Sequence, residues 1–301
     1  MKQVLMDTFD KKKISVNIWD KVEKEKIKGG IVIAHGMAEH PDRYDEFAQF
    51  LNKNGFVVVA DDHRGHRFSA AGEKGQVDGD SFYQSIKDID MLVDYVKTKY
   101  EVDVALIGHS YGSFLSQAYI EKYSHKLKGV ILSGTAYMKS PLLAMGYLIA
   151  SVQNLLVGGD KPGKLIDKMS FGAFNKPFES QGQKFAWLSR DTKQVEKYEK
   201  DPYCGYVMSI EFYRSFFKGI MGMYGEESKN INKKLPILIA VGSDDPVSQN
   251  AKLADKLHKF YKKLELNVEY KVYEGARHEI LNETNNKEVY EDFKKFIEGL
   301  F

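Results

Sequence analysis

Short apolar runs alternate with longer amphipathic stretches along most of the 301 residues. Gly30–Ala34 (GIVIA), Phe56–Ala60 (FVVVA) and Ile237–Val241 (ILIAV) are continuously apolar. Such runs fit strands of a parallel sheet covered by helices on both faces, because neither side of the strand meets water. Ile14–Trp19, Val104–Gly108, Lys128–Ser133 and Asn267–Tyr273 read as further strands. Between them, Tyr44–Lys53 carries Phe47, Phe50 and Leu51 at helical spacing. Ser81–Tyr100 carries Ile86, Ile89, Val93 and Val96, with Asp80 or Ser81 as its N-cap. Gly112–Tyr123, Asn250–Leu264 and Lys287–Leu300 are the other helical patterns. The alternation predicts an α/β fold with right-handed crossovers.

Thr135 to Ser228 breaks the alternation. It has few strand signals, yet holds 15 of the 38 aromatic residues and six of the ten methionines. Linkers are polar, so this block reads as a helical insertion with an adaptable apolar surface; an ordinary second hydrophobic core is the plainer alternative. The expected organisation is 1–134 as the first part of an α/β core, 135–228 as a cap, and 229–301 as the rest of the core. No residue from Ser140 to Gly159 is charged. The apolar part, Leu142–Val157, is shorter than the roughly 20 residues a membrane span needs, and it contains Ser151, Gln153 and Asn154. A buried or cap helix is expected there, with a transient contact between the cap and a membrane surface as the second reading.

Composition removes other classes. With 43% hydrophobic and 29% charged residues, disordered and fibrous chains are excluded. The net charge is +2, and only six basic residues are arginine, which leaves no basic stripe for nucleic acid. The single Cys204 excludes a disulfide framework and a multi-cysteine zinc site. The N-terminal apolar run Val4–Met6 is too short for a signal-peptide core. A cytoplasmic protein, peripheral at the membrane where the cap meets it, is expected.

Gly108-His109-Ser110-Tyr111-Gly112 matches G-x-S-x-G. The match gains weight from its setting, a strand before it and a helical pattern after it. Mechanistically, that turn exposes a nucleophilic serine and needs small residues where the chain packs closely. A serine hydroxyl needs a base, and the base an orienting acid. His258 lies on a charged helical pattern and reads as a surface residue, whereas His278 follows an extended segment, where α/β sheets place their sites. Asp244 and Asp245, directly after ILIAV, are both candidate acids. The oxyanion needs two backbone N–H donors: Tyr111, next to the serine, and Met37, in the loop after GIVIA. Gly36, Gly108, Gly112 and His109 frame these two turns.

His35-Gly36-Met37-Ala38-Glu39-His40, followed by Arg43-Tyr44, resembles the HGxxEHxxRY segment of monoacylglycerol lipases and bacterial lysophospholipases in the α/β-hydrolase superfamily. GHSYGS, GSDDPVS and YEGARHEILNE resemble that family's nucleophile, acid and histidine segments, and the matches run in order from Gly30 to Glu283. The resemblance implies a mostly parallel central sheet flanked by helices, with a helical cap inserted after the sixth strand. It selects Asp245 over Asp244. It also implies an ester hydrolase acting on a monoacyl lipid through an acyl-enzyme, with no cofactor. One position departs: Arg67 stands where the family's D-x-R-G-H-G-x-S segment has glycine.

Three rival readings remain in view. His35, His40, Asp62, His63 and His66 could suggest a metallohydrolase, but their spacing fits no metal motif and Arg64 and Arg67 would repel a cation. The better reading makes them hydrogen-bonding supports of the oxyanion turn, with no metal. A non-catalytic binding module on the same fold conflicts with a complete Ser–Asp–His set. A short-chain carboxylesterase or a serine aminopeptidase would use the same triad. An aminopeptidase would hold the substrate ammonium on a cap carboxylate, for which Glu179, Glu196, Glu199 and Glu211 are available. The aromatic and methionine content favours a small-molecule lipid or ester.

Overall fold

The seven apolar runs all become strands of one sheet, and an eighth strand joins them at its edge. A computed structural model describes residues 1–301. The strands are β1 (Lys2–Asp7), β2 (Lys13–Trp19), β3 (Gly29–Ala34), β4 (Phe56–Asp61), β5 (Val104–His109), β6 (Gly129–Ser133), β7 (Ile237–Gly242) and β8 (Val268–Tyr273). Their spatial order is β1-β2-β4-β3-β5-β6-β7-β8. The first two strands run antiparallel to their neighbours, and β3 to β8 are mutually parallel. This is the α/β-hydrolase arrangement expected above.

Helices α1 (Asp45–Lys53), α2 (Ser81–Tyr100), α3 (Tyr111–Tyr123), α8 (Lys252–Lys263) and α9 (Asn286–Glu298) cover the two faces. Successive side chains in a strand point to opposite faces, which divides the core in two. Val32, Val57 and Val59 join Ile89 and Val93 of α2 and Leu115 and Tyr119 of α3. Ile31, Ile33 and Val58 meet Phe47 and Leu51 of α1 and Phe293 and Ile297 of α9. Each such buried aliphatic or aromatic side chain stabilises the fold by about 1.5–3 kcal/mol.

Between β6 and β7 the chain passes through α4 (Pro141–Val157), α5 (Lys164–Phe171), α6 (Thr192–Lys200) and α7 (Ile210–Met221) without a strand of the sheet. α4 packs on α7, which in turn packs on α2. Ser140 caps α4 by accepting the Leu142 N–H, Pro141 occupies its first turn and Gly158 ends it. Only Leu143 and Ala150 of α4 are buried, so the uncharged stretch is not a core helix. No helix is long and apolar enough to cross a membrane.

Two expectations need adjustment. β1 is a strand although the sequence reading treated Val4–Met6 only as an apolar run. It is an edge strand exposed over most of its length, so burial imposes no alternation on it. The helix expected from Asn250 starts at Lys252, because Gln249, Asn250 and Ala251 all take left-handed φ values (52°, 55° and 66°).

Candidate active site

Ser110 sits between the end of β5 and the start of α3, with φ 52° and ψ −116°. A non-glycine residue in such a conformation stores on the order of 1–3 kcal/mol, kept only where the surroundings over-determine it. Here the Ser110 N–H donates to Ser133 O at 3.0 Å, and Ser113 Oγ donates to Ser110 O at 2.6 Å. The flanking glycines have no room for a side chain. A Cβ on Gly108 would lie 2.3 Å from Ser116 Oγ and 2.4 Å from Gly112 O, and one on Gly112 would lie 2.0 Å from Ala34 O.

Asp245 and His278 come from the loops after β7 and β8, at the same carboxyl edge of the sheet. His278 Nδ1 lies 3.0 Å from Asp245 Oδ1, which also accepts the Val247 N–H at 2.8 Å. Both side chains are buried. Burial alone would favour the neutral imidazole, but the charge and hydrogen bond of Asp245 outweigh it and raise the His278 pKa. Asp244, the other candidate acid, is exposed and accepts from Ser243 Oγ at 3.1 Å. His109 packs against His278, ring centroids 4.8 Å apart, and burial together with that neighbour lowers its pKa to about 4. Ser110 and His278 line one cavity, though no hydrogen bond joins them in this structure.

The turn after β3 is held by imidazoles. His35 Nε2 accepts the His63 N–H at 3.0 Å, so its proton is on Nδ1, which donates to Gly36 O at 2.7 Å. In a trans peptide the N–H points away from the carbonyl. The Gly36–Met37 peptide therefore turns the Met37 N–H away from His35, and Met37 lines the cavity. His66 Nε2 accepts the Ala38 N–H at 3.0 Å. Burial pushes the pKa of His35 far down and that of His66 to about 3, so both stay neutral. Their nitrogens are committed to backbone groups, which makes them supports of the turn, as the sequence reading favoured. A Cβ on Gly36 would lie 2.6 Å from Glu39 Oε1, which accepts the Gly36 N–H. Tyr111 begins α3, where a helix N–H has no intrahelical acceptor; its ring is buried against Phe212 and Phe216.

Met37, His109, Ser110, Tyr111 and His278 line a cavity of about 850 Å³. Phe114, Met138, Leu143, Ile149, Phe216 and Phe217 give it an apolar wall. Glu39 and Glu279 also face it, but Arg43 is ion-paired to both. Burial would raise the Glu279 carboxyl, yet Arg43 holds it at about 2. None of Glu179, Glu196, Glu199 and Glu211 lines the cavity. Glu196 pairs with Lys200 and Glu211 with Arg214. Asp167 is the one carboxylate from α4–α7 that does, and it accepts the Tyr213 hydroxyl at 2.8 Å. His258 stacks on Tyr270 and stays away from the cavity.

The sequence reading missed several residues at this site. Trp187 lies against His278, ring centroids 5.1 Å apart. Tyr198 donates to Ala38 O at 3.1 Å, and its guanidinium neighbour Arg43 stacks on its ring at 4.7 Å. Trp187 and Tyr198 fall in a stretch with no motif, so nothing in the sequence singled them out. Arg43 and Glu279 lay within quoted segments, but only the fold pairs them.

The family described as "Serine aminopeptidase, S33" matches residues 25–285. The chain is 28% identical over 273 residues to the "Monoglyceride lipase homolog" of Monkeypox virus, covering 90% of this chain and 88% of that one. It is 28% identical over 280 residues to the "Monoacylglycerol lipase" of Mycolicibacterium smegmatis, with the same coverage, 90% and 88%. Among solved structures, a thermostable carboxyl esterase from Bacillus coagulans superposes with a TM-score of 0.89 at 26% identity, over 99% of this chain and 98% of the other. A match across this span, on this sheet and with motifs resembling monoacylglycerol lipases, means that the chain belongs to the S33 serine aminopeptidase family of α/β-hydrolases.

Proposed function

We propose that the protein is a serine hydrolase that cleaves the carboxylic esters of monoacylglycerols. The observation that carries this reading is the strained Ser110 turn opening, beside the His278–Asp245 pair, onto a cavity with an apolar wall. In this reading Ser110 Oγ attacks the ester carbonyl as His278 takes its proton. Asp245 orients the imidazole and stabilises its charge. The Met37 and Tyr111 N–H groups receive the oxyanion, and the alcohol leaves with the proton from His278. Water, deprotonated by the same imidazole, then releases the fatty acid. Gly36, Gly108, Gly112 and His109 support the two turns.

In the same reading 135–228 is a cap over a core made of 1–134 and 229–301, and its apolar side chains receive the acyl chain. An uncharged head group suits the site: Lys184 is the single cationic residue lining the cavity, and Glu39 and Glu279 face it. Cleavage of aminoacyl amides is disfavoured because those two carboxylates are already paired with Arg43 and the remaining one, Asp167, already accepts the Tyr213 hydroxyl. The cap also supports work at a lipid surface. Leu148, Leu155 and Leu156 of α4 are 61%, 87% and 74% exposed, a patch suited to contact with a membrane. With its lone Cys204, the protein suits the reducing cytoplasm.

The test is fluorophosphonate labelling mapped by mass spectrometry, together with a panel of monoacylglycerols, lysophospholipids, short esters and aminoacyl amides. Labelling of Ser110 and highest kcat/KM on monoacylglycerols are expected. No adduct at Ser110, or a preference for aminoacyl amides, would overturn the reading.

A further inference from the structure

Arg67, which replaces the glycine of the resembling segment, keeps a glycine-like φ of 39°. Its guanidinium is almost fully buried between two carboxylates: Nε lies 3.1 Å from Asp62 Oδ2, and Nη1 lies 2.6 Å from Asp42 Oδ2. Nη1 also lies 3.2 Å from His40 Nδ1. A guanidinium only donates, so His40 Nδ1 is the acceptor and the ring proton sits on Nε2. That nitrogen donates to Asp201 Oδ2 at 2.9 Å.

Asp201 ends α6, and its Oδ1 accepts the Tyr203 N–H at 2.8 Å. The turn it braces closes at Gly205, whose N–H donates to Ala38 O at 2.9 Å. The Tyr198 hydroxyl donates to the same carbonyl. On its other side the Ala38 N–H is held by His66, the residue before Arg67. Ala38, itself at φ 52°, directly follows Met37.

We propose that Arg67 is a positioning residue: through His40 and Asp201 it fixes the 198–205 segment of the cap on Ala38, and so holds the Met37 N–H where the oxyanion forms. This rests on the oxyanion role proposed above for Met37. The relay crosses from the core to the cap and depends on a side chain that the resembling segment lacks.

The test compares Arg67→Gly, Asp201→Asn and the double variant on a soluble short-chain ester. Glycine accepts the local φ, so the backbone does not oppose the first change. It leaves Asp62 without its partner, so a lower Tm is expected as well, and kcat is the deciding readout. Each single variant should lose kcat by on the order of tenfold with KM little changed. The double variant should be no worse than the more damaged single one, because both break one relay. Affinity for an alkyl boronic acid, which forms a tetrahedral adduct on the serine, should fall by the same factor.

Unchanged kcat and boronate affinity in both single variants would overturn the proposal, whatever their Tm; so would losses that simply multiply. Should Arg67→Gly fail to fold, Asp201→Asn decides by the same two measurements. These outcomes are separable from the proposed function, which stands or falls on Ser110→Ala.

Discussion

The Ser110 turn and helix α4 differ in how much freedom their surroundings leave. Around Ser110 a Cβ added at Gly112 would lie 2.0 Å from a backbone oxygen, and the His35 and His66 rings have their protons placed by backbone partners. On α4, by contrast, two residues are buried and most leucines face outward. Packing of the first kind stores strain and fixes the direction of N–H groups, which chemistry at a carbonyl requires. Packing of the second kind fixes little, which suits the lipid contact proposed for this helix. The segment between β6 and β7 meets the loop after β3 at Ala38, whose carbonyl accepts the Gly205 N–H and the Tyr198 hydroxyl.

Mutations on the two sides should therefore fail differently. The largest effect belongs to Ser110→Ala, which should lower turnover by on the order of 10⁴–10⁶; near-normal ester hydrolysis by this variant would remove the whole scheme. Asp245→Asn should cost on the order of 10³–10⁴ in kcat, far more than Asp244→Asn at the exposed neighbour. The reverse order would make Asp244 the acid.

pH sharpens the same point. As the proposed base, His278 must be neutral to accept a proton, and Asp245 raises its pKa. Activity should thus fall on acidification through a value above the free imidazole's, about 6.5. In Asp245→Asn the opposing effect of burial is less countered, so the acid limb of kcat/KM should move to lower pH. A profile flat from about pH 5 to 8 would contradict the role of the base.

On α4, Leu148→Glu with Leu155→Glu should cut kcat/KM on vesicle-borne monoacylglycerol by on the order of a hundredfold, since each buried leucine is worth about 1.5–3 kcal/mol and about 1.4 kcal/mol is a factor of ten. The same pair should leave a soluble short ester untouched; equal loss on both substrates would mean that α4 serves folding and not lipid contact. Smallest of all should be Met37→Ala, which keeps its backbone donor. Activity within about threefold of wild type is expected, and abolition would show that the side chain itself acts.

Much of this was legible in the chain. GIVIA, FVVVA and ILIAV announce strands buried on both faces, because no polar residue interrupts them. The glycines at 108 and 112 announce a tight turn. β1 was not legible, since an edge strand in contact with water leaves no pattern. The residues alone left Asp244 and Asp245 equivalent, and the resemblance chose between them. In the fold they differ by burial and by which one reaches His278.

The sequence by itself determined the alternation of elements, the order of the nucleophile, acid and histidine segments, and the block where aromatic residues collect. Those are local properties, carried by periodicity and by small residues at fixed spacing. Tertiary structure alone decided which imidazoles are neutral, that Arg43 closes off Glu39 and Glu279, and that Arg67 reaches Asp201 through His40. These are contacts between residues as many as 236 positions apart, and burial sets the strength of each, so no local pattern can encode them.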